Sequence, residues 1–411
     1  MRRMFTAAFA AVLAFAAAPS FAQAAKARIV AYEGARLIVG DGGAPIENGV
    51  LLVEGTRIVQ AGAARAVTVP GNATRVNLSG KTVMPMLIDT HTHLSQTEPE
   101  LIADLRRRAY FGVSAALGMG HDVGEAPFKL RAGVPAGAAR YFTAGRGITA
   151  PEKGRPVTPY WVSTDAEARK AVQENAAKKV DIIKIWVDDR GGVYQRLTPS
   201  LFGAIIDEAH KNGVRATAHI VFLEDAKGLL RAGVDAFAHG VRDKDIDEEF
   251  MALLKTRPNL VLNPNLASRG VKTDISWLKA SLPAAEYAKL EASNKDEPSS
   301  QGAYALQARN LVKMNGAGVT MVLGSDGNTP WAPHVEMEDM VLAGMTTQQV
   351  ITAATKNGAE FLRIPDAGTL QAGKSADFIV LDANPLEDIK NTRKIEGVYL
   401  RGAAVDRTAY P

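Results

Sequence analysis

An α/β fold is predicted: a (β/α)8 barrel flanked at both chain ends by β-rich segments. Three observations carry this reading. Eight short apolar runs recur between residues 84 and 365, separated by helical segments at about 30 residues per unit, the period of parallel strands joined by crossover helices. Eight is the number of strands that closes such a barrel. Short β-type runs with Gly, Asn and Asp turns fill residues 28–82 (RIVAY, GVLLVEG, RIVQAG, TRVNLSG) and return near the end in DFIVLDANP and VYLRGAAV.

Taken in chain order, residues 1–22 (MRRMFTAAFAAVLAFAAAPSFA) combine two arginines, an apolar run over 4–18 and small residues at a cleavage site. This is a secretory signal too short to span a membrane, and the mature chain is expected to begin at Gln23. Arg2-Arg3-Met4-Phe5 also resembles a twin-arginine signal, which would mean export of folded protein. A periplasmic or secreted protein is expected, with no membrane anchor. Residues 26–83 and 366–411 form the β-rich part and 84–365 the barrel. The barrel strands are expected at 86–88, 114–117, 141–144, 182–186, 216–220, 236–238, 260–262 and 319–323. The Gly/Pro-rich connection 145–160 and the long connection 265–318 stand out as possible covers of a site, and the second reads equally well as a surface excursion.

Composition narrows the chemistry. Among 411 residues there are 48 Lys+Arg, 44 Asp+Glu and no cysteine. A net charge of +4 is too small and diffuse for a nucleic-acid partner. Without thiols there can be no disulfide framework, thiolate metal site or cysteine nucleophile. Any transition metal must sit on His, Asp, Glu or a modified Lys.

His91-Thr92-His93 follows the first barrel strand, where residues i and i+2 project to one side. Alone, the pair is either two metal ligands or two ordinary histidines. Lys184 lies inside the apolar strand DIIKIWV, where an ammonium is costly. It could snorkel, form an ion pair, or be carbamylated by carbon dioxide. His219, His239 and Asp326 end strands five, six and eight. All six polar residues therefore fall at the strand ends where barrel enzymes place their chemistry.

The motifs PMLIDTHTH, IIKIW, AHI, AHG, GSDG and GTLQAGKSADFIVLDANPLEDI together resemble the amidohydrolase superfamily, in its secreted branch related to imidazolonepropionases and Xaa-Arg, Xaa-Lys and Xaa-Pro dipeptidases. The resemblance covers nearly all of 28–404. It implies a metal-bearing barrel joined to a β-sandwich built from both chain ends. It further implies that His91 and His93 hold one divalent metal, His219 and His239 a second, and carbamylated Lys184 bridges them. Asp326 would bind the first metal and the nucleophilic water, and would act as the catalytic base. With N and O ligands only, zinc is the expected metal. Three positions depart from the pattern. Met86 replaces a common Gly, GVSAALGMG lacks an Arg-Asp pair, and Ala238 stands where an acidic residue often precedes the histidine.

The implied activity is hydrolysis of a dipeptide or N-acyl amino acid, a small-molecule substrate. Alternatives are a cyclic amide, lactone, carbamate or ester, or a binding protein without catalysis; the last predicts a lost ligand, yet all six are present. Monomer and homo-oligomer are both compatible with the sequence. For substrate contacts the candidates are His121, His334, Arg146, Arg190, Tyr194 and Arg242, each in a segment following a strand. His210 reads as a helix C-terminal residue. Residues 368–375 (GTLQAGKS) match the phosphate-loop expression, but a strand-like DFIVLD follows where that mechanism needs a helix, so nucleotide hydrolysis is not expected.

Overall fold

The computed structural model describes residues 28–155 and 158–411; the export segment read at 1–22 lies outside them. The chain opens with β1 (Ile29–Leu37), β2 (Ile46–Glu54), β3 (Arg57–Ala63), β4 (Thr74–Asn77) and β5 (Thr82–Pro85). It continues with β6 (Leu87–Thr92), β7 (Val113–Gly118), β8 (Arg140–Thr143), β9 (Ile148–Thr149) and β10 (Tyr160–Trp161). Then come β11 (Ile183–Val187), β12 (Ala216–Ile220), β13 (Ala236–Ala238), β14 (Val261–Asn263) and β15 (Thr320–Met321). The end supplies β16 (Phe378–Leu381), β17 (Ile395–Leu400) and β18 (Ala403–Ala404).

Both chain ends meet in one eight-stranded sheet of order β18-β17-β16-β5-β1-β2-β3, with β4 also on β1. The long β1 makes this possible, since it pairs antiparallel with β2 and parallel with both β4 and β5. The expected sandwich is thus hydrogen-bonded as a single sheet. Alternation along its strands buries Tyr32, Leu51 and Val53 in one core and Ala31, Val50 and Leu52 in another.

All eight expected barrel strands are present and parallel, but they fall into a three-stranded sheet (β6-β7-β8) and a seven-stranded sheet (β10-β9-β11-β12-β13-β14-β15). The ladder is therefore not continuously closed. Backbone hydrogen bonds cross both gaps, Thr90 N to Leu323 O at 2.8 Å on one side and Asp181 N to Thr143 O at 2.8 Å on the other. The eighth strand is shorter than the apolar run 319–323 because the chain turns towards β6 beyond it. β6, β7, β11 and β12 are buried along their whole length, which is why their sequences show no alternation of buried apolar and exposed polar residues.

The connection 145–160, expected as loop, contributes the two short strands β9 and β10. Gly147 permits it: a Cβ there would lie 2.0 Å from the Trp186 ring on β11. The connection 265–318 carries a 3-10 turn at Ser276–Leu278 and helices Ala284–Ser293 and Pro298–Gly316. Beyond 368–375 comes β16, a strand and not a helix. No helix among the described residues is long and apolar enough to cross a membrane.

Candidate metal centre and active site

His91 lies in buried β6, and His93 follows one residue past its end, with ring centroids 5.3 Å apart. His91 Nδ1 meets Asn265 Oδ1 at 2.9 Å. As the neutral tautomer donating from Nδ1, His91 keeps its Nε2 lone pair for the centre of the site. That Nε2 lies 3.1 Å from Asp326 Oδ1, and His93 Nε2 lies 3.0 Å from the same oxygen. His239 Nε2 approaches Asp326 Oδ2 at 3.5 Å. His91, His239 and Asp326 each present a ligand atom within 4.8 Å of the others. His219 joins through its ring, 4.7 Å from that of His239, and its Nε2 meets Asp188 Oδ2 at 3.1 Å, so Nδ1 is left for the cluster. Lys184 is fully buried, its Nζ has no hydrogen-bond partner among the described residues, and it lies 5.4 Å from the Trp186 ring.

Close approach and strained backbone build this arrangement. A Cβ at Gly324 would lie 2.7 Å from His91 Cβ, so no other residue lets the turn after β15 reach β6 undisturbed. His239 (φ 90°), Asp326 (φ 49°) and Asn265 (φ 41°) all occupy the left-handed region, which L-residues enter at a cost. Beneath them, Asp89 and Arg108 form a wholly buried ion pair at 2.8 Å. Asp89 also accepts from Ser325 N at 3.0 Å and Ser325 Oγ at 2.6 Å, while Arg108 donates to Gly327 O at 3.0 Å. This clasp fixes the segment carrying Asp326 against β6.

Burial sets the protonation states. It pulls Lys184 down to about 7, against the opposing pull of Asp326. It lowers His91 to about 3, His219 to about 4 and His239 well below the ordinary imidazole value. Burial opposes ionisation of Asp326, yet His91, His93 and His239 outweigh it and hold that carboxyl below the usual carboxylate range. Neutral imidazoles, an ionised carboxylate and an orphaned buried amine make a donor set that fits divalent metal.

The candidate substrate contacts divide. His121 lies 4.4 Å from the His93 ring and stacks on Trp186 at 5.3 Å. With Arg190, Arg155 and Glu152 it lines a cavity of 370 Å³ on the His93 side. Arg190 is tied to Glu152 at 2.9 Å and Asp188 at 2.8 Å. Arg242 lines a second cavity of 490 Å³ with Asn265, Gln307, Asp326 and Glu336, and its Nε is buried without a partner among the described residues.

Three candidates are not brought to the cluster. Arg146 donates to Thr158 O at 2.7 Å and covers the Tyr160 ring at 4.0 Å, strapping its own loop. Tyr194 donates to Lys153 O at 3.0 Å and ties two loops together. His334 is buried inside helix Ala332–Leu342, with Nε2 2.9 Å from Phe111 O and Nδ1 3.0 Å from Thr392 Oγ1. A proline-started helix turns its ring away from the strand ends, which proximity in sequence to Asp326 did not show. His210 meets Asp235 at 2.8 Å, a structural contact. Asn265, Asp188, Arg108 and Glu336 were missed by sequence reasoning. Asp89, inside the IDTHTH motif, was the one visible hint of an orienting carboxylate.

The amidohydrolase family model matches residues 82–405, a span that includes every residue of the cluster. The chain belongs to the amidohydrolase family. Ochratoxinase from Aspergillus niger is 30% identical to this amidohydrolase over 244 residues, 54% of this chain and 45% of the relative, so the chain matches less than half of that protein's length. An imidazolonepropionase from Shouchella clausii is 24% identical, covering 82% of this chain and 80% of the relative. A solved structure from Bifidobacterium longum, assigned as a prolidase, superposes with a TM-score of 0.75 at 27% identity, covering 94% of this amidohydrolase and 96% of that chain.

Proposed function

We propose that this amidohydrolase is a metal-dependent hydrolase of dipeptides or N-acyl amino acids, working on a (β/α)8 barrel whose two sheets are linked by backbone hydrogen bonds across both seams. The observation that carries this reading is the Asp326 carboxylate, within 3.1 Å of His91 and His93 and beside a cavity lined by Arg242, whose Nε has no partner among the described residues. His91, His93 and Asp326 would hold one divalent ion, zinc in our reading, and His219 with His239 a second. Lys184, already drawn towards its neutral amine, would add carbon dioxide, lose a proton and serve as the anionic bridge. Bound there, the ions would supply a water of lowered pKa and polarise the scissile carbonyl.

The chain's own groups do the rest. Asp326 takes the proton of the attacking water and returns it to the departing amine nitrogen. Asn265 and Asp188 hold His91 and His219 in the tautomers the site needs. Arg242 binds the carboxylate beside the departing nitrogen, and the His121 and Trp186 face receives the acyl side. Ochratoxinase, imidazolonepropionase and prolidase are three different names among the relatives, so likeness alone does not choose the bond.

A substrate panel chooses it. Dipeptides, N-acyl amino acids, lactams, lactones and carbamates are assayed with zinc-loaded enzyme. Turnover confined to the first two classes is expected. Turnover confined to lactones or carbamates would contradict the assignment, and a flat response from metal-loaded protein would favour a binding role.

A further inference from the structure

Two donors on residues lining the 490 Å³ cavity, Arg242 Nε and Asn265 Nδ2, are buried with no acceptor among the described residues. Their situations differ. Arg242 is a cation without an ion pair among the described residues, whereas Asn265 has its other end engaged, Oδ1 facing His91 Nδ1 at 2.9 Å. That orientation is forced by chemistry. A histidine that ligates through Nε2 carries its proton on Nδ1, so the amide must offer its oxygen there, which leaves its NH2 as the end without a partner among the described residues.

The segment that carries the amide is itself held in place. Asn265 sits at φ 41°, just beyond β14. The next two N–H groups are held from other elements, Leu266 N by the Glu336 carboxyl at 3.1 and 3.3 Å and Ala267 N by Gln307 Oε1 at 3.2 Å. Burial pushes the Glu336 carboxyl well above the usual carboxylate range, so it presents little charge to oppose an anion.

We propose that Asn265 is a specificity-determining residue, whose Nδ2 joins Arg242 in holding a substrate carboxylate while its Oδ1 positions His91. One amide thus connects recognition of the carboxylate to the orientation of a metal ligand. The assignment rests on reading the site as an amide hydrolase. It adds that a free carboxylate next to the scissile nitrogen is required, because an uncharged carboxamide leaves a desolvated arginine uncompensated.

The test uses metal-loaded full-length enzyme and matched probes. Binding of the twenty free L-amino acids and of their carboxamides is measured by calorimetry, and kcat/KM is measured for the corresponding N-acetyl acids and N-acetyl carboxamides. In the wild type, the tightest-binding acid is expected to bind at least about tenfold better than its amide. Asn265→Asp keeps an acceptor for His91 and loses the donor. It should retain metal, measured by elemental analysis, while its preference for acid over amide falls to about one or reverses. Asn265→Leu should lose both the preference and part of the metal. Equal binding of acid and amide by the wild type, or an Asn265→Asp enzyme that still prefers acids, would overturn the proposal. Hydrolysis of acids and carboxamides at equal rates would also overturn it while leaving amide hydrolysis intact. Hydrolysis of neither, with metal bound, would instead defeat the reading beneath it.

Discussion

Asp326 gathers the site at the scale of single residues. Its two oxygens meet His91, His93 and His239 from two different sheets, at distances of 3.1, 3.0 and 3.5 Å. Asparagine in its place would keep the shape and one ligating oxygen but could not take up a proton. Asp326→Asn is therefore expected to retain most of its metal while kcat falls by about a thousandfold, read from elemental analysis and steady-state kinetics on one preparation. Near wild-type kcat would remove Asp326 from its role. Lys184 shows the same logic from the other side. A lysine wholly buried without a partner is unstable as an ammonium, so either its pKa or its chemistry must change.

At the scale of elements, two devices hold the site together. The Asp89–Arg108 pair joins β6 to the helix that follows it and, through Ser325 and Gly327, to the turn after β15. Removing one partner of a buried pair leaves the other charge uncompensated. Arg108→Met should cost about 3–5 kcal/mol in denaturant unfolding and weaken metal retention. A stability within about 0.5 kcal/mol of wild type, the range of an ordinary surface substitution, would contradict the clasp. The second device is His334, which pins helix Ala332–Leu342 to Phe111 and Thr392. Burial lowers its pKa from 6.5 to about 4, so the unfolded chain takes up a proton at higher pH than the folded one. Its contribution is full above pH 6.5 and fades as the pH falls towards 4, by about 3 kcal/mol in all. His334→Gln should flatten that part of the stability profile and leave KM unchanged. An altered KM would return the residue to the substrate site.

For the whole molecule, the strand count, the parallel pairing and the positions of His91, His93, His219, His239 and Asp326 were legible because buried parallel strands are apolar runs, and polar residues at their ends stand out. The break into two sheets was not legible, since it depends on which backbone groups pair across a seam. Nor were Asn265 and Asp188, whose roles come from contacts spanning 174 and 31 residues of chain. Loop arginines and tyrosines were the least readable: Arg146 and Tyr194 serve their own loops, while Arg242 looks similar in sequence and lines the cavity beside Asp326, its Nε without a partner among the described residues.

The claim that unites these scales is that amide hydrolysis depends on metal held by this cluster. It is tested most directly by following metal content, intact mass and hydrolysis of the preferred N-acyl amino acid in one sample as it is chelated and then titrated with zinc. Activity is expected to disappear on chelation and to return with two equivalents of metal, together with a mass increase of one carbon dioxide that Lys184→Met lacks. Undiminished hydrolysis by the metal-free protein would contradict it.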